Sequence, residues 1–227
     1  QSASTNLMDK ETAYLEKIDN FVIKEYSEKQ VLLHTIKADT YYSYKNSPIQ
    51  LLKVEVKTFN ESGQEGIVLT SNRAEMLKSG EIFFNGEVNI KTKSGISHEL
   101  DTESLIVLTN TGKIKSNKKI TYLGENSKIN AQEMEMDIDS NTMFLKGGVQ
   151  ILQASDVKID TTNLFISHSN GQKKYNSKSK TSYQSTGNRV NSEKGFDMDA
   201  NQNLMNLLGQ VEILNASGSK INTSNLE

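Results

Sequence analysis

The 227-residue chain has no cysteine, no tryptophan, one proline and three histidines. Without cysteine it can form neither a disulfide framework nor a thiolate nucleophile. His34, His98 and His168 lie 64 and 70 residues apart in the sequence, so they form no local metal-binding pair. We interpret His98 and His168 as exposed histidines near turns.

Charge of one sign and long apolar runs are also absent. The 26 Lys and Arg and the 28 Asp and Glu are interspersed and give a net charge of −2. This pattern shows no basic patch for nucleic acid. No run reaches the roughly 18 to 20 apolar residues of a membrane-spanning helix. The chain begins at Gln1 rather than Met, which predicts a processed N-terminus with an upstream signal or anchor missing here.

Catalytic motifs are missing as well. The sequence contains no Gly-x-Ser-x-Gly elbow, phosphate-binding loop, dinucleotide fingerprint or His-Glu-x-x-His. Asp137-x-Asp139-x-Asn141 and Asp197-x-Asp199-x-Asn201 resemble the opening of a calcium loop, but each lacks the glycine and glutamate that such a loop needs. Polar hairpin turns explain them better. We therefore predict a protein that is not an enzyme and that holds no metal or other cofactor.

A repeat of about 61 residues is the strongest pattern in the chain. Its core reads apolar-x-apolar-x-Gly-x-Val-x-Ile and occurs three times, at spacings of 61 and 62 residues. Because strand side chains alternate between faces, each copy puts four apolar groups on one face, and the glycine marks a bulge, a bend or a close backbone approach. The three copies are Ile82-x-Phe84-x-Gly86-x-Val88-x-Ile90, Met143-x-Leu145-x-Gly147-x-Val149-x-Ile151 and Met205-x-Leu207-x-Gly209-x-Val211-x-Ile213.

The flanks of the repeat recur with it. A second motif follows each glycine strand, as Leu100-Asp101-Thr102-x-x-Leu105, Ile159-Asp160-Thr161-x-x-Leu164 and Ile221-Asn222-Thr223-x-x-Leu226. Each unit reads as about four short strands separated by turns, which indicates an antiparallel sandwich, jelly roll or open barrel. Apolar residues of the opposite parity indicate that both faces are covered somewhere; they are Phe83, Phe144, Leu204 and Leu208. Asp9 to Ile18 fit either a short helix or a disordered lead-in.

The order of these motifs resembles the LptC family, periplasmic lipopolysaccharide-export proteins attached to the inner membrane. The similar segment runs from Ile18-Asp19-Asn20-Phe21 through the second glycine strand, over residues 18–153. The resemblance implies a twisted, V-shaped open β-jellyroll of antiparallel strands. Residues 1–17 are then a lead-in. Residues 154–227 are an additional unit similar to the soluble LptA bridge proteins, which extends the same jellyroll or forms a second one.

The resemblance also implies a function, in which an apolar groove shelters the acyl chains of lipid A. Burying one methylene is worth about 0.8 kcal/mol, so an exposed chain of about a dozen carbons costs roughly 10 kcal/mol. Plain core packing is the competing interpretation of every candidate lining residue. The candidates are Ile82, Phe84, Val88, Ile90, Leu105, Met143, Leu145, Val149, Ile151, Ile159, Met205, Leu207, Val211 and Ile213.

Partners follow from the same resemblance, which implies strand-to-strand pairing at two free sheet edges. The N-terminal edge, predicted within residues 21–37 at Phe21, Ile23, Val31 and Leu33, meets the periplasmic domains of an inner-membrane ABC transporter. The C-terminal edge, predicted within residues 209–226 at Val211, Ile213 and Ile221, meets an LptA-like bridge protein, and head-to-tail homo-oligomers are a further expectation. The chain is then periplasmic, tethered by the missing N-terminal segment. The alternatives are a structural β-repeat scaffold or surface module that binds no lipid, and a carrier of a different amphiphile.

Overall fold

The chain folds into one antiparallel β-sheet. The computed structural model describes residues 14–93, 98–124, 126–138, 140–154, 156–169, 171–202 and 204–226. All regular structure in these ranges is β-strand, which confirms the all-β prediction. The strands are β1 Glu16–Tyr26, β2 Leu32–Ser43, β3 Ile49–Phe59, β4 Glu65–Met76, β5 Glu81–Thr92, β6 Glu99–Leu108, β7 Lys113–Ser116, β8 Ile120–Leu123, β9 Ser127–Ala131, β10 Glu133–Asp137, β11 Thr142–Gln153, β12 Val157–Ser169, β13 Gln172–Ser177, β14 Thr181–Ser185, β15 Asn188–Ser192, β16 Phe196–Asp199, β17 Leu204–Leu214 and β18 Lys220–Leu226.

The N-terminal helix is not formed in the part of residues 9–18 that the structure describes. Glu16 to Ile18 begin β1, which pairs with β2 from Glu16↔Ser43 onward. Pairing with β2 gives the backbone of this segment a ladder of hydrogen bonds, and its weak apolar periodicity does not favour a helix enough to compete with that pairing. Residues 9–13 lie outside the described residues. Nowhere in the described ranges does a helix have the length and apolar character needed to cross a membrane.

The sheet is a meander of long strands, in which each long strand pairs with the next one along the chain. Four of its long strands consist of two short ones, β7 with β8, β9 with β10, β13 with β14 and β15 with β16. Their two halves pair with the two ends of the same neighbour; β6, for example, pairs with β7 at residues 106–108 and with β8 at residues 99–102. The strands from β12 onward continue the same sheet, because β12 pairs with β11 along most of its length.

A row of bends crosses the middle of the sheet. Asn20 in β1, Lys53 in β3, Gly147 in β11 and Gly209 in β17 all have positive φ, between 54° and 78°. The ladder pairing is interrupted at the same level in neighbouring strands. These bends divide the sheet into two halves. We call the half with β7, β10, β13 and β16 limb A, and the half with β8, β9, β14 and β15 limb B.

The bend explains both repeated motifs. On the glycine strand β5, Phe84 and Val88 are both buried and four residues apart, whereas their partners Leu105 and Thr102 on β6 are only three apart. A regular strand would put Leu105 and Thr102 on opposite faces. The extra residue on the glycine strand is a β-bulge, which turns both pairs inward. The same four-against-three register recurs at Leu145 to Val149 and at Leu207 to Val211.

Buried hydroxyl groups line the inner side of the bend. Thr102 Oγ1 donates to the carbonyl of Lys119 at 3.0 Å, and Ser116 Oγ donates to the carbonyl of Ser104 at 2.8 Å. Ser192 Oγ donates to the carbonyl of Leu208 at 2.7 Å. A bend removes ladder bonds from buried carbonyls, and unsatisfied buried carbonyls are costly. These buried serine and threonine side chains therefore stabilise the bend.

The two limbs face each other across one apolar core. Lys173 on β13 of limb A contacts Tyr122 on β8 of limb B, although β13 and β8 are not neighbours in the sheet. The buried apolar residues of both limbs form a single cluster between them. The sheet is thus folded back on itself, as in the predicted β-jellyroll.

Candidate functional site

The predicted lining residues all lie in the apolar cluster between the limbs, which we call the interior strip. Three of the fourteen are half-buried and pack against the cluster, namely Ile82, Met205 and Ile213. The other eleven are buried, with exposed fractions of 7% or less; they are Phe84, Val88, Ile90, Leu105, Met143, Leu145, Val149, Ile151, Ile159, Leu207 and Val211. The interior strip is therefore largely closed. Contact of these residues with lipid stays a prediction.

Cross-strand pairing arranges the interior strip in rows that run perpendicular to the strands. One row in limb B follows the register from Ile90 through Leu100, Tyr122, Ile129 and Ile151 to Ile159. A row in limb A joins Leu145 to Met134 and Leu164. Several interior residues are not among the predicted lining residues because their strands lack the glycine motif. The period-two alternation of apolar residues in those strands is the signal that marks them. They include Leu51, Val54, Leu69, Ile114, Ile120, Met134, Phe196 and Met198.

Apolar residues of the opposite parity lie on the outer face of the sheet. Phe83 is 37% exposed and Leu204 is 38% exposed. Phe144 pairs directly with Phe165. A shallow outer concavity of about 580 Å3 in limb A is lined partly by Phe83 and partly by Lys115, Glu135 and Lys146. Glu135 forms ion pairs with both lysines, so this surface is far more polar than the interior strip.

A polar cluster joins the far ends of the two limbs, and we call its residues, His98, Tyr122, His168, Lys173 and Tyr175, the mouth cluster. Lys173 Nζ lies 2.8 Å from Tyr122 Oη, which lies 2.7 Å from His98 Nδ1. The ammonium group also sits over the rings of Tyr122 and Tyr175, at 4.8 and 5.4 Å from their centroids. The rings of His98 and His168 meet edge to face at 6.2 Å. The contacts of Lys173 with Tyr122 and of His98 with His168 cross from one limb to the other, whereas the Tyr122–His98 contact lies within limb B and the Lys173–Tyr175 contact within limb A.

Burial controls the charges in the mouth cluster. It lowers the pKa of Lys173 to about 8, so the side chain is mostly charged at neutral pH. Burial, together with the charges of Lys173 and His168, lowers the pKa of His98 to about 4, which keeps His98 neutral. Burial also raises the pKa of Tyr122 and of Tyr175. The cluster thus holds the buried Lys173 cation beside neutral His98, Tyr122 and Tyr175.

His98 and His168 lie beside turns as predicted, but the prediction that they are exposed is wrong. His98 is partly buried against Tyr122, and His168, one residue before the end of β12, is half-buried. His168 and Lys173 are cross-strand partners in limb A, and His98 and Tyr122 belong to limb B. The folding of limb A against limb B brings these two pairs together.

The free edges of the sheet are β1 and β18. In the described part of the chain, β1 pairs only with β2 and β18 only with β17. Phe21 and Ile23 lie on the first edge and Ile221 on the second. Leu33, Val211 and Ile213 lie instead in the penultimate strands β2 and β17, which pair on both sides, and Val31 lies between β1 and β2. Of the seven predicted edge residues, only Phe21, Ile23 and Ile221 therefore lie on a free edge strand.

The two acidic motifs lie at hairpin turns. Asp137 Oδ1 accepts from the amide of Ser140 at 3.0 Å between β10 and β11. Asp199 Oδ1 accepts from the amides of Asn201 and Gln202 between β16 and β17. Across the ranges that the structure describes, no group of acidic, histidine or cysteine side chains is arranged to hold a metal ion.

The chain matches the model of a known protein family. The family described as "Lipopolysaccharide-assembly, LptC-related" matches residues 5–154, well over half of the chain. This chain belongs to the LptC family. None of the curated proteins compared with the chain matches it.

Membership of the LptC family gives the chain a general role. The family acts in lipopolysaccharide transport in the periplasm and cell envelope, and it is a family of transport and binding proteins. Lipopolysaccharide and the Lpt transporter are its partners in general terms. The match ends near the second glycine strand, so the LptA-like character of residues 154–227 stays a prediction.

Proposed function

We propose that this LptC-family protein shelters the acyl chains of lipid A between limbs A and B. The observation that supports the proposal is the interior strip, a single apolar cluster enclosed by two limbs of an open sheet. It extends from β2 to β18, so it can hold long aliphatic chains along its length. The polar sugar of the lipid would remain at the mouth of the jellyroll, in contact with water.

Entry of acyl chains requires the limbs to separate. Leu145, Ile151 and Ile159 have exposed fractions of 0%. Each methylene that moves from water into this interior contributes about 0.8 kcal/mol. Several acyl chains therefore provide ample free energy to offset the loss of packing between the limbs. The bends at glycine and asparagine residues are the natural hinges for such a motion.

We also propose that β1 and β18 are docking edges. β1 carries exposed apolar side chains on both faces, with Val22 at 49% and Ile23 at 40% exposed, and Ile221 on β18 is 58% exposed. Exposed apolar edge strands normally promote aggregation, which favours the interpretation that partners cover them. In this proposal β1 pairs with the periplasmic domains of the ABC transporter and β18 with an LptA-like bridge protein, or with β1 of a second copy.

Photocrosslinking at adjacent positions tests the sheltering function. Ile82 and Phe83 are consecutive in β5, with Ile82 facing the interior strip and Phe83 facing outward. A benzophenone amino acid at position 82, irradiated with lipopolysaccharide, is expected to give a lipid adduct. The same amino acid at position 83 is the matched control and should give only background. Equal adducts at both positions, or an adduct at 83 alone, would contradict the proposal.

The alternative is a structural β-repeat scaffold that binds no lipid. The burial of eleven of the fourteen lining residues favours it, since a filled core needs no ligand. Absence of any adduct at position 82, with a lipid-binding protein crosslinking normally in parallel, would support the scaffold.

A further inference from the structure

The mouth cluster contains hydrogen-bond donors that lack acceptors. A lysine ammonium can only donate, so Tyr122 Oη accepts from Lys173 and its own hydrogen goes to His98 Nδ1. Neutral His98 must then carry its hydrogen on Nε2. That atom is buried, and within the described residues it has no hydrogen-bond partner. A buried N–H without an acceptor is costly and is rare in native proteins.

Lys173 adds an uncompensated charge beside this donor. Its side chain is only 8% exposed, and its ammonium donates a single hydrogen bond among the described residues. No carboxylate in the described ranges contributes to its pKa. The other titratable groups that face it are His98, His168, Tyr122 and Tyr175, and none of these is a carboxylate. Buried charges are normally paired with an opposite charge, so this site favours the binding of an anion.

The mouth cluster is continuous with the interior strip. Tyr122 occupies the limb B row between Leu100 and Ile129, two cross-strand positions from Ile90. Tyr175 pairs with Ile166 in limb A and is buried in the same apolar cluster. An anionic group at the cluster would therefore lie at the end of an apolar path, as the polar end of an amphiphile does.

We propose that the mouth cluster binds a phosphate group, through the Lys173 ammonium and the His98 Nε2–H, on an amphiphile whose acyl chains occupy the interior strip. Phosphate oxygens accept several charge-assisted hydrogen bonds at once and so match a cation beside a neutral N–H donor. The inference rests on the function proposed above. It adds the headgroup chemistry that the site recognises and the residues that recognise it.

Binding measurements with and without the phosphate test this inference. The probes are lipid A and its phosphatase-treated form, which keeps the same acyl chains. The wild-type protein is expected to bind lipid A at least about tenfold more tightly than the dephosphorylated form, as one or two charge-assisted hydrogen bonds provide. Lys173→Met is expected to reduce this ratio to about one, and it should fold because an apolar side chain of similar shape replaces a buried charge.

Lys174→Met is the matched control, since Lys174 is the next residue in β13 and is exposed on the outer face. This variant should keep the wild-type ratio. Equal binding of both lipids by the wild-type protein would overturn the phosphate site while leaving the sheltering function intact. Failure of the wild-type protein to bind either lipid would overturn both.

Inorganic phosphate separates the two sources of the anion. The His98 ring resonances of the wild-type protein are monitored by NMR during titration with inorganic phosphate and, separately, with lipid A. A saturable shift with lipid A that is absent in Lys173→Met supports the headgroup site. A shift with inorganic phosphate but none with lipid A would show a free-phosphate site instead and would overturn the headgroup assignment.

Discussion

Replacing Gly195 with alanine is expected to lower the free energy of unfolding by about 4 kcal/mol. Gly195 lies in the bend row between β15 and β16, with φ at +89°. A Cβ atom there would lie 2.0 Å from the backbone oxygen of Ser177. The backbones of Gly195 and Ser177 are in close contact at the bend. Moving them apart to make room for a Cβ atom would break hydrogen bonds of the ladder on both sides. Urea denaturation followed by circular dichroism measures the loss.

Gly63→Ala is the control for this change. Gly63 also has positive φ, at +79°, but a Cβ atom there would have no other atom within 4 Å. The Gly63→Ala variant should lose only about 1 kcal/mol of unfolding free energy, because a residue with a Cβ atom disfavours positive φ. Similar losses in the two variants would show that close packing at the bend row is not what stabilises the fold.

Locking the two limbs together is expected to reduce lipid A binding by at least about tenfold, because a closed state that cannot open removes the binding-competent population. His98 and His168 contact each other across the mouth, and the chain has no native cysteine. The variant His98→Cys/His168→Cys can therefore be joined specifically, by oxidation or with a short bis-maleimide reagent, and the product verified by mass spectrometry. Binding of the joined and reduced forms is then compared.

Two controls isolate the effect of the lock. The reduced double variant lacks both imidazoles but keeps the limbs free, so it accounts for the loss of His98. Thr121→Cys/Asn130→Cys joins β8 to β9 within limb B and should leave binding unchanged. Undiminished binding by the locked protein would mean that acyl chains do not enter by separation of the limbs.

Much of the fold could be predicted from the alternation and the repeat. The glycine strand puts Phe84, Val88 and Ile90 on one face, and the structure buries all three. The sequence alone gives no physical reason for the repeated spacing Thr102-x-x-Leu105. Its reason is the register against β5, where one extra residue turns both side chains inward. Register depends on the partner strand, so a single strand's sequence does not reveal it.

The mouth cluster could not be predicted for a related reason. His98 and Lys173 are 75 positions apart and belong to different limbs, so no local spacing links them. Each looks like an ordinary polar residue near a turn. Their burial results from the bend row, which brings two distant sheet ends together. The start of β1 at Glu16, ahead of the predicted edge at Phe21 and Ile23, could not be predicted because the apolar residues of this strand lie on both faces.

Intermolecular NOEs test the central claim most directly, that acyl chains lie between limbs A and B. Met134, Met143 and Met198 are native interior probes, each with an exposed fraction of 7% or less. With methyl-labelled protein and unlabelled lipid A, NOEs are expected from acyl methylene protons to the methyl groups of these three residues. The methyl groups of Leu204, on the outer face, should show none. Acyl NOEs confined to Leu204 or other outer residues would contradict the account.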